Sequence, residues 1–232
     1  MGETHGRESN KDMKKKIILD LCGGTGAWSE PYRKAGYDVR VITLPEHNIL
    51  FTRINNNGTL DFYRDKMHVS KDFQVKIKDI HGILAAPPCT QFSFARTTAK
   101  TPRDFKGAME IISACEQIIR ACVIGGGLKF WAMENPTGHL RRFIGKPTFR
   151  FYQWQFGGYH VKSTDIWGHF NYPRPTVKIK PEVDHAEIDR RWANPVIPEY
   201  IKERLKSTGE RRAAVRAITP EGFARAFYKS NK

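Results

Sequence analysis

Ile17-Ile-Leu-Asp-Leu-Cys22 is an apolar run of strand length that passes without a break into Gly23-Gly-Thr-Gly26, after which Ala27 to Ala35 reads as a helix closed by Gly36. Strand, glycine turn and helix in that order form the first half of a nucleotide-binding α/β unit, because glycines let backbone N–H groups approach a ligand at the helix N-terminus. Two more apolar runs, Ile83 to Ala86 and Leu128 to Met133, are also of strand length, and prolines follow both. The expected architecture is an α/β domain with a mostly parallel, doubly wound sheet, in which ligands sit outside the carboxyl ends of the strands.

The other elements fall between these landmarks. Asp38 to Leu44 is the second strand, closed by Pro45. An acidic residue often stands at such a position to bond ribose hydroxyls; here Thr43-Leu44 occupy it, Glu46 would have to reach back, and Asn48 could bond an adenine edge. Leu50 to Ile54 and Thr59 to Tyr63 flank Asn55-Asn-Asn-Gly58, a hairpin pattern that makes 50–64 an insertion. Asp104 to Gly125 is a long helix, since Phe105, Ala108, Met109, Ile112, Cys115, Ile119 and Cys122 recur at helical spacing. Cys115 and Cys122 are therefore core residues. Phe149 to Phe156 and Thr164 to Phe170 read as strands whose aromatics belong to the sheet core. A short helix is expected at Glu199 to Lys206. Thr219 as N-cap, Pro220 and Glu221 then open a last helix reaching about Tyr228.

Formal net charge is +15, and residues 138–232 carry 19 Lys/Arg against 9 Asp/Glu. A surplus of this kind on a folded domain points to a polyanionic partner, with nucleic acid first. The four cysteines show neither metal-type spacing nor a disulfide framework, and no apolar run reaches membrane-spanning length. A cytoplasmic protein without metal, membrane attachment or partner subunit is the expectation.

Pro87-Pro88-Cys89 ends the Ile83 run, so the thiol emerges at a strand's carboxyl end and faces a ligand. Glu134-Asn135-Pro136 follows the Leu128 run and reaches the same edge. Asp20–Gly26, Pro87-Pro88-Cys89, Glu134-Asn135-Pro136, Lys162-Ser-Thr164 and Arg216-Ala-Ile-Thr-Pro220 occur in the order of the signature motifs of DNA (cytosine-5)-methyltransferases. The chain resembles that family over residues 17 to 228, and most closely its short bacteriophage members.

The resemblance implies a Rossmann-like, S-adenosylmethionine-dependent methyltransferase fold. Its parts would be an N-terminal arm (1–16), a catalytic domain (17–170), a short basic region (171–212) in place of a target-recognition region, and a C-terminal helix (213–232) completing the catalytic domain. It implies DNA as partner, and a host-cell cytoplasm if a phage encodes the chain. Cys89 would add to carbon 6 of cytosine, Glu134 would assist at N3, and Lys162 and Thr164 would stand near the flipped base. Asp20, Leu21, Cys22, Gly23, Gly24, Thr25, Gly26, Trp28, Thr43, Leu44, Asn48 and Pro87 would hold S-adenosylmethionine. Ser93, Arg96, Arg141, Arg142, Arg211, Arg212 and Arg216 would contact DNA. Two other readings stay open: methylation of RNA or another base on the same fold, and an inactive DNA-binding decoy.

Overall fold

A run buried on both faces can only be a central strand, and Ile17–Leu21 (β1) is one: all five residues are buried, with parallel neighbours on each side. In this computed structural model, which describes residues 15–65, 71–97, 99–158, 162–182 and 218–232, β1 pairs with Asp38–Ile42 (β2) and Ile80–Ala85 (β6). Phe130–Pro136 (β7) continues the parallel set beside β6. Phe149–Tyr152 (β8) and Ser163–His169 (β9) complete a six-strand sheet of order β2-β1-β6-β7-β9-β8. The protein is α/β with a mixed, largely parallel sheet, because β9 runs antiparallel to both β7 and β8.

The Asn55–Gly58 turn joins Arg53–Asn55 (β3) to Thr59–Phe62 (β4), with Gly58 at φ +75 as the tight turn requires. Phe73–Lys76 (β5), absent from the sequence reading, adds a third antiparallel strand to this second sheet. Leu50 is not in a strand: Ile49–Phe51 is a 3-10 turn capped by Asn48.

One face of the large sheet is covered by Phe105–Gly125 (α2), opened by the Asp104 side chain accepting from Gly107 N and stopped at Gly126. Ile112, Cys115, Ile119 and Cys122 are buried there against Leu19, Leu21, Ile83 and Met133, as the helical spacing requires. The other face carries Glu30–Lys34 (α1) and Glu221–Ser230 (α4). Helix α1 is shorter than expected, because Ser29 lies outside it and turns its hydroxyl to Asp20. Helix α4 begins one residue later than expected: Pro220 holds the N-cap position and no side chain caps the helix. Arg141–Ile144 (α3) is a single turn after β7.

Strand β7 runs on through Glu134-Asn135-Pro136, which pair with Ile166, Asp165 and Thr164 of β9. The reading of these three as a loop after the strand is thereby corrected. Likewise β8 stops at Tyr152, and Gln153–Phe156 turns away as a 3-10 segment. The expected Glu199–Lys206 helix, the arm up to residue 14 and most of the basic region lie outside the described residues. Among the described residues no helix is long and apolar enough to cross a membrane.

Phe223 anchors α4. It is fully buried, stacks on Phe151 at 4.0 Å, and touches Trp28, Phe156 and Phe227. Truncating a buried Phe removes transfer energy and leaves a cavity, so Phe223→Ala is expected to lower stability by about 3–5 kcal/mol. Urea unfolding checks this; a loss below about 1 kcal/mol would mean α4 is not part of the core.

Candidate active site

The parallel strands β1, β2, β6 and β7 send their carboxyl ends to one edge, which brings residues 22–26, 43–48, 86–89 and 134–137 together. At the end of β1 the chain turns sharply. Cys22, Gly24 and Gly26 have φ of +55, +54 and +69, and Gly26 N donates to Gly23 O at 2.9 Å. Gly23 has no alternative, since a Cβ there would fall on the Asp20 carboxylate. Asp20 is fully buried and accepts from Ser29 Oγ at 2.5 Å, while its Oδ1 has no protein partner. Burial raises its carboxyl to about 6; the Ser29 hydrogen bond and the Arg33 charge act against that rise.

Three of the residues expected to hold a cofactor have side chains packed into the frame. Leu21 is wholly buried, and its carbonyl accepts from Ala86 N. The Cys22 side chain packs into the core beneath α2, beside Cys115, whose thiol that neighbour and burial push up. Trp28 is 2 % exposed, with its ring packed against Phe223 and Phe227. At the end of β2, Thr43 O accepts from His47 N, Leu44 is exposed, and Asn48 Oδ1 is engaged by Leu50 N at 3.1 Å. Asn48 therefore offers a ligand its Nδ2 donor.

Beyond β6, Pro87 is buried and Pro88 exposed. Cys89 is half-buried and in no disulfide, and its carbonyl accepts from Phe92 N and Ser93 N, which coils the chain tightly after the thiol. Fully buried Phe92 anchors the coil. A bridge between Ser93 and Gly138, with His139 N donating to Phe92 O, pins the loop to the segment following β7. Arg103, which the sequence reading passed over, donates to the carbonyls of Gln91 at 2.6 Å and Ser93 at 3.0 Å. The two expected DNA contacts in this loop are engaged within it: Ser93 Oγ accepts from Ala95 N, and Arg96 donates to Thr101 and Pro102.

Asn135 joins the two halves of the site. Its Nδ2 donates to Pro87 O at 3.0 Å, fully buried, tying the residue beside Glu134 to the residue two before Cys89. Burial raises the Glu134 carboxyl above its ordinary value; the Lys162 ammonium lowers it and Asp165 raises it further. Asp165, also unforeseen, is buried under a bidentate pair of bonds from Arg141, both 2.6 Å, and accepts from Thr137 as well. Arg141, with a third of its side chain exposed, is thus bound to an internal acid. Thr164 is 1 % exposed and its hydroxyl is buried without a protein partner, so it lies behind the site's surface. Arg142 is exposed; Arg211, Arg212 and Arg216 lie outside the described residues.

A half-buried thiol and a carboxyl biased toward its protonated form share one edge with a glycine turn, next to a buried acid. Such a set can perform covalent and acid-assisted chemistry on a ligand that a neighbouring site holds. No protein-family model matches the chain, and no curated protein matches it.

Asp20 generates a pH prediction. Between its ordinary value of 3.8 and about 6, the folded state holds a proton that the unfolded state has lost, so this group's contribution to stability falls as pH rises through that window and is level above it. Asp20→Asn should abolish that component, which amounts to about 2–3 kcal/mol over the window. Unfolding free energies of both proteins between pH 4 and 7 test it, and parallel profiles would refute it.

Proposed function

We propose that the protein is a methyltransferase acting on carbon 5 of cytosine in DNA, with Cys89 as nucleophile and Glu134 as acid. The observation that carries this reading is the buried Asn135 to Pro87 hydrogen bond, which holds the two reactive segments at one edge of the sheet. Supporting it are the raised Glu134 carboxyl and the glycine turn over Asp20.

The turn fits S-adenosylmethionine. Its three positive-φ residues make a tight turn at the end of β1, and Asp20 Oδ1 is a buried acceptor lacking a protein partner. Asp20, Gly23, Gly24 and Thr25 would hold the amino-acid end, and Thr43, Leu44 and Asn48 the nucleoside. Bound there, S-adenosylmethionine supplies an electrophilic methyl group.

Cytosine C5 is too weak a nucleophile to take that methyl unaided. The Cys89 thiolate donates a pair to C6, forming an S–C6 bond and breaking the C5=C6 π bond, whose electrons make C5 nucleophilic. The Glu134 carboxyl places its proton at N3, which keeps the added ring neutral, and Lys162 beside it steadies the carboxylate that results. Once C5 carries the methyl group, loss of the C5 proton to a base or water re-forms C5=C6, the same electron shift expels the thiolate, and N3 returns its proton to the Glu134 carboxylate, which restores both side chains. Attack from above the ring requires the base to leave the stack.

Incubation with labelled S-adenosylmethionine and DNA, followed by nucleoside mass spectrometry, should yield 5-methylcytosine. Cys89→Ala should abolish the product, Glu134→Gln should lower the rate by about 100-fold or more, and a 5-fluorocytosine duplex should trap the wild type covalently. Product formed by the Cys89→Ala protein, or methyl found on nitrogen, would overturn the reading.

A further inference from the structure

Strand β8 is the edge of the large sheet, and its side chains alternate. Phe149 and Phe151 turn toward α4 and join that core. Arg150 and Tyr152 turn the other way and are exposed, Tyr152 at 39 % and the Arg150 side chain at 46 %. The ring of Trp154, in the 3-10 segment that follows, lies nearly parallel to that of Tyr152, with centroids 6.4 Å apart and planes 20° from each other. The Arg150 guanidinium stands 5.7 Å from the Tyr152 ring centre.

This group is fixed and positively charged. Arg150 donates to Ser163 Oγ at 2.8 Å and lies 4.0 Å from Asp165, whose carboxylate Arg141 already grips with two bonds. Two guanidinium groups thus face one buried carboxylate, leaving an excess positive charge at the surface. Lys162 adds to it: Gln153 N donates to Lys162 O, so the residue that lowers the Glu134 carboxyl adjoins Tyr152 and Trp154. Flat aromatic faces beside a guanidinium match a nucleobase followed by its phosphate, because bases stack on rings and the phosphate pairs with the cation.

We infer that Arg150, Tyr152 and Trp154 form a stacking surface for an unpaired nucleotide of the DNA strand, adjoining the Glu134 site through Lys162. The inference rests on the proposed function for the identity of the strand. It adds a contact outside the reactive centre: a base displaced from the stack lies on the Tyr152 and Trp154 rings, with its phosphate on Arg150.

Fluorescence anisotropy of the full chain tests it, using a labelled single-stranded deoxyoligonucleotide of about 12 nucleotides, the same length of abasic strand, and the matching RNA. Tyr152→Ala should weaken binding of the base-bearing DNA about tenfold and change the abasic strand less than about twofold. Tyr152→Phe should bind like the wild type, and unchanged melting of all variants confirms the fold. Arg150→Ala should weaken both deoxy strands and flatten the salt dependence. Equal losses on base-bearing and abasic strands, no loss at all, a loss confined to RNA, or absence of wild-type binding would each overturn the inference. Failure of methyl transfer alongside a selective Tyr152→Ala loss would remove the proposed function and leave the stacking surface. Normal 5-methylcytosine formation with unchanged Tyr152→Ala binding would do the reverse.

Discussion

Neither Pro87 nor Pro88 has an N–H, so the ladder between β6 and β7 cannot continue to the point where the two strands deliver Cys89 and Glu134. The Asn135 side chain takes over, donating to Pro87 O from inside the protein. Removing that donor would leave a buried carbonyl unpaired, at a cost of about 1–3 kcal/mol. The same two segments are joined again on the far side of this junction, by the bridge between Ser93 and Gly138 and the bond from His139 N to Phe92 O.

Three carboxyl groups near this edge are treated differently. Asp165 accepts from a bidentate guanidinium and a hydroxyl, three charge-assisted or neutral donors on one buried side chain. Asp20 has one hydroxyl and an oxygen without a protein partner, and Glu134 has a nearby ammonium that only partly offsets burial. The fully matched acid organises the frame, and the two under-matched acids carry raised pKa values and stand where strands end. Groups so perturbed gather where ligands and reactions are handled.

Helix α2 and the Asn55–Gly58 hairpin were legible because each signal is local: a 3.6-residue apolar period behind an Asp cap, and a turn sequence that demands φ above zero. The extension of β7 was not, since Glu134-Asn135-Pro136 looks like a polar turn until β9 pairs with it, and the reversed direction of β9 leaves no local trace. Strand β5 is as short as β4 but has no tight-turn sequence beside it to mark it as a strand. The same division holds at the site. Cys89, Glu134 and the Asp20 turn were recognisable by residue type and position along the chain. Asn135, Arg103 and Asp165 act through partners 48, 12 and 24 residues away, and nothing in their neighbourhoods announces those partners. Trp28 was expected at the cofactor from the resemblance alone, and its ring packs against Phe223 and Phe227 of α4.

Helix α4 closes the structure on itself. Tyr32 Oη donates to Asn231 O across 199 residues, and Asn231 also bonds Asn171 in both directions. During synthesis the residues around the glycine turn leave the ribosome long before Phe223 and Phe227 exist to cover Trp28 and Phe130. Until then that face of the sheet lacks its covering helix, so a chain grown only past β9 still carries an open apolar surface, with Trp28 and Phe130 uncovered.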